Sequence, residues 1–262
     1  MVSGPWGDFG LFGAVVAGIT GLIVGSFLNV LVHRLPRGES VVFPSSHCPA
    51  CGAPIAPWDN IPVISWIFLR GRCRVCRGPI ASRYPMIELS NGLLWFFLSR
   101  RAQSWLEFAA GAFLCSACVA LLAIDAEFQI LPDKITLTGI GVGLALSLMA
   151  GNWSQALLGV SVGAGGLYLL AFLYERLAGR EGMGLGDVKM LGMIGAFLGP
   201  LGVLLTVLLA SLAGSLVGLG LIAVGGGDRK MRLPFGVFLS LGAIATLFFG
   251  ASLVRAYRSF WS

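Results

Sequence analysis

Two aspartates stand where long apolar runs of the chain meet short polar links. Asp187 lies in Gly184-Leu185-Gly186-Asp187-Val188-Lys189, at the start of one apolar run and behind two glycines. Asp125 ends another run, in Asp125-Ala126-Glu127-Phe128-Gln129-Ile130-Leu131-Pro132-Asp133. A carboxylate beside hydrocarbon is costly, which marks it as a functional group with a partner to be found. Two carboxylates that share a proton can hydrolyse a peptide: the ionised one activates water, and the protonated one hydrogen-bonds the scissile carbonyl. Such a pair titrates as a unit, so sequence does not say which is acid and which is base. The glycines before Asp187 leave room for an extended substrate backbone. We read Asp125 and Asp187 as the catalytic pair of an integral-membrane aspartyl protease.

Each carboxylate also has a plainer reading. Asp125 alone, or Asp187 with Lys189, could be a charge that ends a helix. Asp133 follows Leu131-Pro132 and opens an apolar run, which suits an N-cap as well as it suits catalysis. Glu127, Glu175 and Glu181 read as solvated loop charges. Other protease chemistries lack parts, since the two histidines, His33 and His47, fall in one loop and no His-Glu-x-x-His occurs.

A second constellation is Cys48-Pro49-Ala50-Cys51 with Cys73-Arg74-Val75-Cys76, two Cys-x2-Cys knuckles separated by 21 residues. Four thiolates close a tetrahedral zinc site, and the two-residue gap lets both sulfurs of a knuckle face one metal. A reducing cytoplasm disfavours disulfides there. We assign Cys48, Cys51, Cys73 and Cys76 to structural Zn2+, with His47 as an ordinary loop residue. Cys115 and Cys118 sit inside an apolar run and read as small buried thiols.

The elements that must position these groups are membrane helices. The chain has 262 residues, of which 56% are hydrophobic and 11% charged, with mean hydropathy +0.87. A soluble domain carries about a quarter charged residues. The expected fold is an all-α polytopic bundle with about eight spans, near 9–32, 84–99, 105–124, 135–150, 156–174, 187–199, 201–224 and 234–254. The span at 84–99 is short and polar, with Glu88, Ser90 and Asn91. Recurrent Gly-x-x-x-Gly pairs, at 21/25, 159/163, 195/199 and 214/218, suit close helix packing in lipid. The first run lacks a basic leader, with Asp8 before it, and reads as a retained span.

The net charge of +6 does not point to nucleic acid, because the charges sit in short loops between apolar runs. With the first loop in the cytoplasm, 14 of the 18 Lys and Arg share that side, as the positive-inside rule requires. Asp125 and Asp187 fall on the same face, which the charge count did not presuppose. Three segments follow: a first span at 1–32, a cytoplasmic four-cysteine zinc domain at 33–83, and a helical bundle at 84–262 carrying the protease site. About 50 residues build too small a core to stand without a staple. From Asp187 to Gly199 is 13 residues, about 20 Å of helix against a core of about 30 Å. The site is therefore expected in a notch below the membrane surface.

The ordered set of motifs resembles the bacterial prepilin peptidases (type IV leader peptidases), membrane aspartyl proteases of the Gly-x-Gly-Asp class. It comprises Gly25-Ser26-Phe27-Leu28-Asn29, both cysteine knuckles, Arg83-Tyr84-Pro85 with Glu88-Leu89-x-x-Gly92, Asp125-x5-Leu131-Pro132-Asp133, and Gly184-Leu185-Gly186-Asp187-Val188-Lys189. The resemblance covers nearly the whole chain and implies that Asp125 and Asp187 are the two catalytic aspartates. It implies removal of the short basic leader of prepilins and of type II secretion pseudopilins, after a glycine, at the cytoplasmic face of the bacterial inner membrane. It further implies N-methylation of the exposed residue with S-adenosylmethionine. Glu88 and Gly92 match the family's Glu-x-x-x-Gly and are candidates for binding the methyl donor, with a packed helix end as the alternative. No soluble Rossmann-type donor loop occurs. Asn29 reads as a site residue or an interhelical hydrogen bond, and the 33–83 loop as a lid over either activity.

Three competing classes predict different features. A non-enzymatic assembly factor would use the zinc loop for docking and the aspartates as buried structural pairs. A proton-coupled transporter would string polar residues across several span centres, which are here nearly devoid of charge. A presenilin-like protease shares Gly-x-Gly-Asp but leaves the cysteine loop unexplained.

Overall fold

The succession of apolar runs folds as helices. In the computed structural model of the protein, the residues described are 10–179, 184–224 and 233–261. Asp8, Arg180, Glu181, Arg229, Lys230 and Arg232, whose charges entered the sequence reading, lie outside them. The helices are α1 (Gly10–Arg34), α2 (Ile64–Phe68), α3 (Arg83–Ser99), α4 (Trp105–Phe128), α5 (Asp133–Met149), α6 (Trp153–Val160), α7 (Gly166–Ala178), α8 (Leu185–Ala223) and α9 (Phe235–Trp261). A π-helical turn, Ser161–Gly165, joins α6 to α7. No strand occurs among the described residues beyond two isolated bridges.

The eight expected spans correspond to eight helical segments, because α8 is two helices end to end. Gly199 breaks it with φ 67° and ψ −177°, and Pro200 follows. Glycine alone tolerates that backbone without strain, and Pro200 removes the next amide donor. Among the described residues, five helices, with α6 and α7 counted as one, are long and apolar enough to cross a membrane. α3 and α5 have 17 residues each, short of the about 20 that a perpendicular crossing needs. The chain is a multi-pass, all-α membrane protein.

The chain divides into two compact units, Met1–Ala120 and Leu121–Ser262. In the first, α1 packs along α3. A Cβ on Gly21 would sit 2.9 Å from the Trp95 Cβ, and one on Gly25 would sit 2.7 Å from the Glu88 Cα. Two of the three polar residues that made α3 look a poor span, Glu88 and Asn91, are buried and hydrogen-bonded inside this unit. Asn91 donates to the Gly21 carbonyl (2.7 Å) and accepts from the Ser116 hydroxyl (2.9 Å), which in turn accepts from the Trp95 indole (3.1 Å). Buried polar groups linked in this way cost little and fix the register of three helices.

In the second unit the short first half of α8 is the core. Val188, Met190, Leu191, Gly192, Met193, Ile194, Gly195 and Ala196 are all buried. Gly159 of α6 and Gly195 of α8 meet backbone to backbone, each where the other's Cβ would stand. Gly143 of α5 leaves the space taken by Ala196 and Phe197. A helix with no free face, surrounded by others, carries Asp187 at its start.

Candidate active site and metal centre

Both aspartates belong to the second unit and sit at helix ends. α4 finishes three residues after Asp125, where Gln129 takes a left-handed φ of 53°. Its amide donates to the Asp125 carbonyl at 3.0 Å. Three further residues, Ile130-Leu131-Pro132, lead directly into α5. Asp187 is the third residue of α8, behind Gly184, whose carbonyl accepts the Asp187 amide at 3.1 Å. A carboxylate in the first turn complements the helix dipole. Asp125 is buried and Asp187 partly so. The Asp125 charge reaches Asp187, and one side chain, Leu131, lies against both Gly186, next to Asp187, and Gly236, beside the Asp125 carboxylate. The 62 positions that separate them in sequence are closed by the fold.

The Asp125 carboxylate has a partner that the motif reading missed. Its Oδ2 accepts the Val237 amide at 3.0 Å, and the Gly236 amide faces it as well. Both amides belong to the first turn of α9, which follows Leu233-Pro234. The signal in the sequence is a helix that begins at Phe235 after a proline, with no Ser, Thr, Asp or Asn to cap it. An uncapped helix start needs an acceptor from elsewhere.

Asp133 is not an N-cap. That position is Pro132, and no side-chain cap forms. Asp133 instead accepts from Lys189, with Nζ 2.7 Å from Oδ1 and 2.8 Å from Oδ2. Proline cannot place an acceptor there, and a lysine two residues past Asp187 takes up the charge. Glu127 and Glu175 are exposed, but they lie near the ends of α4 and α7 and not in loops.

The cysteines converge as the spacing requires. One ligand atom from each of Cys48, Cys51, Cys73 and Cys76 lies within 4.8 Å of the others, and the Cys48 and Cys76 sulfurs are 3.9 Å apart. Four sulfurs about 2.3 Å from a tetrahedral zinc stand about 3.8 Å from one another, whereas a disulfide needs about 2.05 Å. The set could therefore hold zinc. The two knuckles are the same turn made twice. Cys48 donates to the Ala53 carbonyl and Cys73 to that of Gly78, each at 2.9 Å. Gly52 and Arg77 close the turns with φ of 69° and 59°. The amides of Cys76 and Val75 point at the Cys73 sulfur and hold its thiol down at about 7. Cys51, although the Ala53 amide favours its thiolate, is pushed up to about 11 by desolvation and by the Cys76 and Cys48 sulfurs. Four thiols crowded together resist joint ionisation, and a divalent cation removes that conflict.

Glu88 and Gly92 lie one turn apart on α3, in the first unit. Glu88 is buried, and its Oε2 accepts the Val63 amide at 2.7 Å. The Ser26 and Asn29 side chains also face its carboxylate. Asn29 donates to the Tyr84 carbonyl at 3.1 Å, so it does form the interhelical hydrogen bond. Gly92 is taken up by α1: a Cβ there would stand 2.7 Å from the Leu22 Cδ2 and 3.1 Å from the Gly18 carbonyl oxygen. Gly92 thus serves helix packing, while Glu88 ties the cysteine loop to α3 through a residue of positive φ, Val63 at 61°.

Comparison with known proteins gives the family. The model of the bacterial peptidase A24 N-terminal domain matches residues 19–102, and that of the type IV leader peptidase family matches residues 112–219. A prepilin leader peptidase/N-methyltransferase of Burkholderia pseudomallei (strain 1026b) is 40% identical, over 88% of this chain and 84% of its own length. Proteins of the same name from Aeromonas hydrophila and Pseudomonas aeruginosa are 36% and 33% identical, over 90% and 92% of this chain and the same shares of their own lengths. No solved structure matches. The chain belongs to the type IV leader peptidase family.

Proposed function

We propose that the chain is a membrane endopeptidase whose catalytic pair is Asp125 and Asp187. It removes the short basic leader of prepilins and type II secretion pseudopilins and then N-methylates the new N-terminal residue. The observation that carries this reading is the placement of two carboxylates at helix ends within one unit, with Leu131 packed against the backbone beside both and the Asp125 charge acting on Asp187. One carboxylate takes a proton from water as the oxygen attacks the scissile carbonyl carbon. The other, protonated, donates to the carbonyl oxygen, and the proton taken from water passes to the leaving amine as the C–N bond breaks. The positive-inside bias supports a bacterial inner-membrane location with the site facing the cytoplasm. A basic leader ahead of an apolar helix suits that placement, because the helix can enter from lipid.

The segment 33–83 is read as a zinc-stapled cytoplasmic domain between the first span and the 84–262 bundle. Zinc there is structural, since four cysteines leave no open position for substrate. S-adenosylmethionine, when bound, supplies the methyl group. Of the two residues that match the family's donor motif, Glu88 is the one whose carboxylate could pair with a cationic donor. The relatives' names, prepilin leader peptidase/N-methyltransferase, support both activities and do not favour an assembly factor.

Mass spectrometry of a purified prepilin incubated with the protein in detergent, with and without S-adenosylmethionine, tests the reading. It predicts one cut after the glycine that ends the leader, and a further mass of one methyl group only when the donor is present. An intact substrate in both samples would overturn it.

A further inference from the structure

Asp125 is held by an element that neither the motifs nor the resemblance includes. We propose that the first turn of α9 is the positioning arm of the aspartate pair: the Gly236 and Val237 backbone holds the Asp125 carboxylate, and Leu131, keyed between Gly186 and Gly236, spaces it from Asp187. The inference rests on the catalytic reading of the two aspartates.

Three observations converge on it. Val237 donates to the Asp125 Oδ2 at 3.0 Å across 112 positions of sequence. A Cβ on Gly236 would stand 2.8 Å from that same oxygen, 3.1 Å from the Asp125 Cγ and 2.9 Å from the Leu131 Cδ2. A Cβ on Gly186, next to Asp187, would stand 3.0 Å from the Leu131 Cβ. Neither glycine has a positive φ, so the demand at both positions is for space and not for backbone freedom. One leucine side chain therefore packs against the first turn of α8, at Gly186 beside Asp187, and against the first turn of α9, at Gly236 beside the Asp125 carboxylate. A backbone amide is a stiffer donor than a side chain, since its direction is fixed by the helix. Preorganised donors of this kind cost no rearrangement during reaction. The Asp125 charge acts on Asp187. The Lys189–Asp133 pair joins α8 to α5, the helix that follows Leu131-Pro132.

The alternative is that Asp125 merely caps α9, with stability and not rate depending on the contact. Gly236→Ala and Leu131→Ala separate the two, with Gly141→Ala and Gly220→Ala as controls, since nothing lies within 4 Å of a Cβ at either control position. Cleavage of a purified prepilin in detergent is followed for kcat and KM across pH, beside thermal melting of each variant. Gly236→Ala is expected to lower kcat about 100-fold, the effect of misplacing a reacting group by about 1 Å. KM should change little, and the acidic limb of the rate–pH profile should be displaced. Leu131→Ala removes atoms and adds none, so it decides the matter if Gly236→Ala does not fold; about a tenfold loss in kcat with a displaced profile is expected. Wild-type kcat and pH profile in folded Leu131→Ala and Gly236→Ala would overturn the inference. So would losses that follow only the fraction melted. If Asp125→Asn and Asp187→Asn are inactive while these variants are normal, the positioning arm alone fails; if the Asn variants are active, the catalytic reading itself fails.

Discussion

Lys189 and Asp133 form a two-pronged ion pair, with the ammonium 2.7 and 2.8 Å from the two carboxylate oxygens. The pair fastens the start of α5 to the first turn of α8, two residues beyond Asp187. Its side chains are 34% and 56% exposed, so its contribution to stability is small, below about 1 kcal/mol. Its effect is on placement. Lys189→Met is expected to shift the melting temperature little and to lower the peptidase rate about tenfold. Equal, small changes in both would mean the pair is an ordinary surface contact.

The cysteine cluster predicts one zinc per chain in protein purified without chelator, measured by elemental analysis. Substitution of any one of Cys48, Cys51, Cys73 or Cys76 by Ser should release it. Bound thiols must shed their protons, so zinc is expected to leave as pH falls and competing protons reclaim the sulfurs. Metal retained after Cys73→Ser would contradict a four-cysteine site.

Arg77 occupies the left-handed position that Gly52 fills in the other knuckle, with φ of 59° against 69°. A side chain there costs about 1 kcal/mol relative to glycine, part of which glycine returns in unfolded-state entropy. Arg77→Gly is expected to stabilise the zinc-bound loop by up to about 0.5–1 kcal/mol, read as slower zinc loss to a chelator.

The backbone contact between Gly159 and Gly195 predicts sharp sensitivity to one methyl group. Gly195→Ala drives a Cβ into the Gly159 carbonyl, and overpacking of that sort costs about 1–3 kcal/mol or more. Thermal melting in detergent should fall clearly for Gly195→Ala and hardly at all for Gly220→Ala, whose Cβ would meet open space.

The helices, the short span that ends at Gly199, the four converging cysteines and the placement of Asp125 and Asp187 at helix ends were legible in the sequence. Each rests on a local signal: apolar run length, Cys-x2-Cys spacing, a charge at the edge of hydrocarbon. The glycine pairs were legible as packing sites but not as to partner. Gly21 and Gly25 face α3, while Gly159 and Gly195 face each other. What escaped depends on contacts between distant elements. Asp133 had the residue type and position of an N-cap, but Pro132 holds that place and Lys189 claims the carboxylate. Glu88 looked out of place in a span because Val63, its amide partner, lies 25 positions earlier in a loop without periodicity. The role of α9 was invisible because its donors are backbone amides, which every residue but proline carries.

The central claim is that Asp125 and Asp187 perform the cleavage together. The direct measurement is the rate at which purified Asp125→Asn and Asp187→Asn variants cut a prepilin in detergent, beside folded wild type. Asparagine keeps an acceptor oxygen for the Val237 amide, so the α9 contact survives in Asp125→Asn while the ionisable carboxyl is lost. Both variants are expected to melt near wild type and to show no detectable cleavage. Wild-type cleavage by either one would contradict the account.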